Sequence, residues 1–110
     1  MKINALERGD IVTINLNPTR GHEQKGIRPA LILSHHDFNV KTGLAIVCPI
    51  SSKIKGSPFE IKINGQHVMG VILAHQVKTI DWVSRVIKIC DHADEFCLSE
   101  VIRKLTLIIS

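Results

Sequence analysis

Aromatic side chains are nearly missing from this chain of 110 residues: there is no tyrosine, one tryptophan (Trp82) and three phenylalanines (Phe38, Phe59, Phe96). A platform that stacks single-stranded bases normally uses several exposed aromatics. Any nucleic-acid recognition here must therefore lean on charge and hydrogen bonds, and the core must be mostly Ile, Val and Leu. Cysteine is sparse too. Cys48, Cys90 and Cys97 are odd in number and lack paired spacing, which argues against a disulfide scaffold and makes a reducing cytoplasm the expected compartment. Cys48 lies inside an apolar run and reads as core. No apolar run approaches membrane-spanning length, and the N-terminus has no stretch long enough for a signal peptide. His35-His36-Asp37, and Cys90-Asp91-His92 with Cys97, lack the paired spacing of a structural zinc site. Neither a metal nor another cofactor is expected. With no repeat, linker or low-complexity segment, residues 1–110 read as one domain.

What is present is ordinary globular composition, 45% hydrophobic and 22% charged, with a formal net charge of +4. That excess favours an anionic partner. Basic residues gather at Arg20, Lys25 and Arg28, at Lys53 and Lys55, and at Lys78, Arg85 and Lys88. Acidic ones gather late, at Asp91, Asp94, Glu95 and Glu100.

Short β-branched runs predict strands over Ile11–Leu16, Arg28–Ser34, Leu44–Ile50, Phe59–Ile63, Val68–Leu73 and Arg85–Cys90. Leu44–Ile50 is nearly all apolar, as a strand buried on both faces is, and Pro49 suggests a break or an edge. Phe59–Ile63 alternates as a half-buried strand does. Asn64-Gly65 reads as a tight turn, Gly70 as a bulge or bend, and His35–Thr42 as about one helical turn ending at Gly43. Residues 75–81 read as a loop. Leu98, Val101, Ile102, Leu105, Ile108 and Ile109 fall at helical spacing, with Asp91 or Asp94 able to cap that helix. Six short strands and one helix predict a small, mainly β barrel.

Between the first two strands runs a polar loop, Pro18 to Pro29, longer than a hairpin needs. It holds an imidazole, a carboxylate, an amide, an ammonium and two guanidinium groups, the inventory for moving a proton near a phosphate. Glu23 can serve as a general base and Arg28 as the cation that stabilises phosphate charge; an ordinary loop ion pair is the alternative. His22 can act as the acid, or be a surface histidine. Ser51 and Ser52 with Lys53 and Lys55 can hold phosphate oxygens, or form a solvated serine turn. Phosphodiester chemistry by side chains alone suits RNA, whose 2′-hydroxyl attacks the adjacent phosphorus once deprotonated.

Arg8-Gly9-Asp10-Ile11-Val12 and Asn17-Pro18-Thr19-Arg20-Gly21-His22-Glu23-Gln24-Lys25-Gly26-Ile27-Arg28-Pro29-Ala30 resemble the MazF/PemK toxin family. So do Lys55-Gly56-Ser57-Pro58-Phe59-Glu60 and Gly70-Val71-Ile72-Leu73 leading into Gln76-Val77-Lys78-Thr79-Ile80. The likeness runs from about Glu7 to the end. It implies an SH3-like barrel with a C-terminal helix, acting as a homodimer. It implies a sequence-specific, metal-independent, ribosome-independent endoribonuclease that leaves a 2′,3′-cyclic phosphate and a 5′-hydroxyl and is neutralised by an acidic antitoxin. Matched positions make Glu23 the base, Arg28 the phosphate-binding group and Ser51 a hydroxyl on the scissile phosphate, with His22 beside them. The expected RNA-binding residues are Arg20, Gln24, Lys25, Ser52, Lys53, Lys55, His75, Gln76, Lys78 and Arg85. Three positions depart from the family's pattern: His75 where relatives commonly carry Asp, Ser51 where many carry Thr, and Leu73 where some carry Arg. His75 is expected near His22, in RNA binding or proton transfer, or else as a structural histidine. A gyrase-poisoning toxin resembling CcdB and a non-catalytic RNA-binding barrel are the competing readings.

Overall fold

The structure, a computed structural model, describes residues 5–110. Met1 to Arg8 reads from the sequence as a short polar lead-in, and its first half, residues 1–4, lies outside the described residues. Among the described residues, seven strands form one antiparallel sheet: β1 (Asp10–Asn15), β2 (Ile27–Ile32), β3 (Leu44–Ser51), β4 (Glu60–Asn64), β5 (Met69–Leu73), β6 (Lys78–Asp81) and β7 (Val86–His92). Three helices accompany them: α1 (His36–Thr42), the single turn α2 (Trp82–Arg85) and the C-terminal α3 (Glu95–Ile109). The pairing path is β4-β5-β3-β2-β1-β7, with β6 on β3. Among the described residues the two ends of this path, β4 and β7, are not paired with each other, so the barrel-like sheet is open.

Alternation along the strands divides the apolar residues between two cores. Ile11, Leu31, Leu33, Cys48, Ile50, Ile61, Ile63 and Ile72 join Cys97, Leu98 and Val101 of α3 on one side. Val12, Ile14, Ala30, Ile32, Ala45, Val47, Ile80 and Trp82 pack with Leu6 and Leu16 on the other. The two-sided core explains why β3 is nearly all apolar. Each fully buried Ile, Leu or Val stabilises the fold by about 1.5–3 kcal/mol relative to exposure. The second core is tied by Asn39, whose amide donates to the carbonyls of Leu6 (3.0 Å) and Ser34 (3.1 Å) and whose own carbonyl accepts from the Trp82 indole (2.8 Å).

Five expectations change in detail. Strand β3 runs through Pro49 unbroken. What changes there is its partner: residues up to Val47 pair with β6 and residues from Ile50 pair with β5. The segment expected as a loop over residues 75–81 is a 3-10 turn, Ala74–Gln76, followed by the seventh strand. That turn leaves the sheet at the point where β3 switches partner. Asn64-Gly65 opens a four-residue connection, since Asn64 opposes Met69 in the β4–β5 ladder. Gly70 is no bulge, because the register runs evenly past it. Its φ is 145°, and a Cβ there would collide with the carbonyl oxygen of Ser51; a glycine lets β5 lie against the backbone at Ser51. Finally, Asp94 alone caps α3, accepting from the Cys97 amide at 2.8 Å. Asp91 instead points at the β4–β5 turn, accepting from His67 N and Val68 N, both at 2.8 Å, while its other oxygen accepts from His92 N at 2.9 Å.

The stripe on α3 divides. Leu98 and Val101 are buried on the barrel, whereas Ile102, Ile108 and Ile109 are exposed.

Candidate functional site

The polar loop closes on its own backbone before it presents anything. Leu16 N donates to Gly26 O (2.9 Å), and Gly26 N donates to the side chain of Asn17 (3.1 Å). Arg85 donates through Nη1 to the carbonyls of Asn15 (3.0 Å) and Asn17 (2.6 Å). Arg85, expected on the RNA, therefore braces the root of the loop. Nearer the tip, Glu23 N donates to Arg20 O (3.2 Å), and Arg20 N donates to the Glu23 carboxylate (2.9 Å). This reciprocal turn fixes where the carboxylate leaves the chain.

Glu23 pairs with Lys78, Oε1 to Nζ at 3.8 Å, and both remain partly exposed. The ion pair considered between Glu23 and Arg28 is not formed. Arg28 donates through Nε to the carbonyl of Lys25 at 3.1 Å, so it braces the far limb of the same loop. Arg20 and Lys25 are exposed on it.

The 3-10 turn brings His75 and Gln76 up to this loop. Gln76 Oε1 accepts from Gln24 N (2.9 Å), and Gln76 Nε2 donates to His22 O (3.3 Å). His75 lies against Phe59, ring centroids 5.6 Å apart and tilted by 41°. The second basic loop forms the opposite wall. Ser51, at the buried end of β3, accepts from Lys53 N at 3.1 Å through its hydroxyl. The Glu60 carboxylate accepts from the amides of Lys55 and Gly56 at 3.1–3.3 Å. Ser52 is exposed beside them.

Between these walls lies a cavity of about 260 Å³, lined by His22, Gln24, Ser51, Lys53, Lys55, Ser57, Glu60, Leu73, His75 and Gln76. A second hollow of about 230 Å³ adjoins it, sharing Gln24, His75 and Gln76 and adding Glu23, Lys78, Pro49 and Val77. Of the four residues expected to be catalytic, His22 and Ser51 line the first and Glu23 the second. Arg28 lines neither. His75 and His22 both line the first cavity. Glu60, Phe59 and Asn17 were not singled out from the sequence. Their contribution is to hold backbone or stack on a ring, and no spacing rule marks that.

A larger cavity, about 620 Å³, lies elsewhere, between β4 and the start of α3. It holds none of the expected catalytic or RNA-binding residues. The side chains of His22, Glu23 and Lys78 gather instead at the two smaller hollows. Among the described residues, no three His, Cys, Asp or Glu side chains are grouped as a metal ion requires. The thiol of Cys48 is pushed up to about 12 by burial, consistent with an inert core residue.

The model of the PemK-like, MazF-like toxin of type II toxin–antitoxin systems matches residues 7–109. The chain belongs to this family. It is 44% identical to the endoribonuclease toxin MazF of Escherichia coli over 79 residues, covering 72% of this chain and 71% of that one. The crystal structure of MazF from Deinococcus radiodurans superposes with a TM-score of 0.91 at 40% identity, covering 96% of each chain. A crystal structure of MazE–MazF from the same organism superposes with a TM-score of 0.82 at 34% identity, covering 96% of this chain and 95% of that one.

Proposed function

We propose that this protein is a toxin endoribonuclease that cleaves single-stranded RNA in a sequence-specific way, independently of metal ions and of the ribosome. The observation that carries this reading is the meeting of Glu23, Lys78, His22, Ser51 and His75, from three separate stretches of the chain, around two adjoining hollows. Family membership and the endoribonuclease names of relatives such as MazF of Escherichia coli support the same reading.

In the mechanism, RNA lies along the cleft with its phosphates against Lys53, Lys55 and Lys78. Glu23 takes the proton of a 2′-hydroxyl, whose oxygen attacks the adjacent phosphorus. Arg28 stabilises the charge that develops on the phosphate oxygens; a guanidinium has five N–H donors and the contact to Lys25 uses one. Ser51 donates to a non-bridging oxygen. His22 gives a proton to the departing 5′-oxygen. The products are a 2′,3′-cyclic phosphate and a 5′-hydroxyl. Each positioned proton transfer is worth about 10²–10⁴-fold in rate, and one fixed donor to the charged transition state about 10²–10³-fold.

The partners follow from the surface. A net charge of +4 suits an acidic antitoxin that covers the RNA cleft. The exposed end of the α3 stripe suits a homodimer, with Ile108 and Ile109 standing 43% and 77% exposed. No helix among the described residues is long and apolar enough to cross a membrane, and the cytoplasm is the compartment in which mRNA and this thiol content coexist. The test is cleavage of a long RNA in EDTA, with Glu23→Ala and Arg28→Ala as controls. Toxicity that survives both substitutions would point to a gyrase-type target, and RNA binding without cleavage to a non-catalytic barrel.

A further inference from the structure

We infer that Gln76 is a positioning residue that grips the first loop on both sides of Glu23 and does not read RNA. This rests on Glu23 as the base of the proposed reaction. Gln76 sits in the 3-10 turn between β5 and β6, remote in sequence from the loop it touches. Its Oε1 accepts from the amide of Gln24, and its Nε2 donates to the carbonyl of His22. These are the residues immediately after and immediately before Glu23. One side-chain amide therefore clamps the peptide that carries the carboxylate.

The chemistry of the residue suits this. An amide side chain presents, at one end and without charge, an acceptor and a donor on two separate atoms. A carboxylate cannot donate to the His22 carbonyl, and an ammonium cannot accept from the Gln24 amide. Glutamine has the reach to do both from the turn. The turn itself is anchored: Ala74 is fully buried, and its amide donates to Phe59 O at 3.1 Å. Two residues further on, Lys78 holds the Glu23 carboxylate from β6. The third loop thus fixes both the backbone and the side-chain end of Glu23. With Oε1 and Nε2 each bonded to the first loop, the amide's orientation is set by that loop and not by a base edge.

Holding a reacting group within a fraction of an ångström affects the chemical step more than substrate binding. Two net hydrogen bonds correspond to about a tenfold change in the population of the held loop. The experiment compares full-length wild type with Gln76→Met, which keeps the length and removes both bonds, and Gln76→Glu, which still accepts but cannot donate. Two readouts are taken: amide hydrogen exchange of the loop without RNA, and steady-state cleavage of a defined RNA in EDTA. In Gln76→Met, exchange at the Gln24 amide is expected to rise about tenfold and kcat to fall about tenfold, with KM within threefold and the cleaved sequence unchanged. In Gln76→Glu, Gln24 is expected to stay protected. The inference is overturned if Gln24 protection is unchanged in Gln76→Met, or lost in Gln76→Glu. It is equally overturned if KM or the cleaved sequence changes while kcat stays intact, which is the signature of a direct RNA contact. If wild-type protein leaves RNA uncut, the ribonuclease reading fails, while the exchange measurement still decides whether the clamp exists.

Discussion

Replacing Asp91 by asparagine should destabilise the protein in a way that disappears at low pH. The Asp91 carboxylate is buried and accepts from the amides of His67, Val68 and His92 at 2.8–2.9 Å. These bonds, that from His67 foremost, hold its pKa down at about 2, against an ordinary 3.8. At about 1.36 kcal/mol per pKa unit, the difference is worth about 2 kcal/mol. Because the folded pKa is depressed, that stability is fully present above the unfolded value near 4. It is lost as pH falls from there through about 2. Asparagine keeps the shape and one acceptor but never carries the charge. At pH 7 the variant should therefore unfold about 2 kcal/mol more easily, with Tm lower by roughly 10 °C. Near pH 2 the two proteins should converge. Urea unfolding at a series of pH values, with m-values compared, measures both. A gap between wild type and Asp91→Asn that stays constant from pH 7 to pH 2, or one below about 0.5 kcal/mol throughout, would refute the assignment of Asp91 as the charged anchor of the β4–β5 turn.

Further outcomes are expected at the cleft. Glu23→Gln should lower kcat for RNA cleavage by at least about 10²-fold while leaving Tm within a few degrees, since Glu23 is exposed; single-turnover kinetics and a thermal melt check the two halves. Glu60→Ala should release the amides of Lys55 and Gly56 and raise KM about three- to tenfold with kcat little changed. Binding of RNA to a cleavage-inactive variant should weaken about 50-fold between 50 and 200 mM salt, if about four phosphates are neutralised at about −0.7 in log–log slope each; a flat response in fluorescence anisotropy would misplace the binding surface. His75→Ala should slow cleavage, and a wild-type rate in that variant would reduce His75 to a ring packed on Phe59.

Much of this architecture is legible in residue order, and the parts that are not have physical reasons. The strands with two or three β-branched residues on a face, such as Ile11–Val12–Thr13–Ile14, declare themselves by propensity and alternation. The helix over Glu95–Ile109 does so by its 3.6-residue stripe and its Asp94 cap. Strand β6 does not. Lys78-Thr79-Ile80-Asp81 offers only one apolar residue, Ile80, and becomes a strand because half of β3 is left without a partner. That is tertiary context overriding a weak local preference. Asp91 presents the same case on a smaller scale. Its position before a helix suggests a cap, but what decides is that the backbone amides of His67 and Val68, 24 and 23 residues earlier in the chain, point at it. At the cleft, the residue types were legible, since Glu23, His22, Ser51 and the lysines are the chemically capable groups. Their pairings were not. That Glu23 meets Lys78 and not Arg28, and that Arg85 braces carbonyls at Asn15 and Asn17, follows from how three loops meet, and spacing within one loop carries no information about that.

The most direct test of the central claim is end-mapping of a long RNA after incubation with the purified protein in EDTA. The account predicts discrete cuts at a short recurring sequence, with 2′,3′-cyclic phosphate and 5′-hydroxyl ends, absent in Glu23→Ala and Arg28→Ala. Intact RNA from folded, antitoxin-free protein, or cleavage that appears only when a divalent metal is restored, would contradict it.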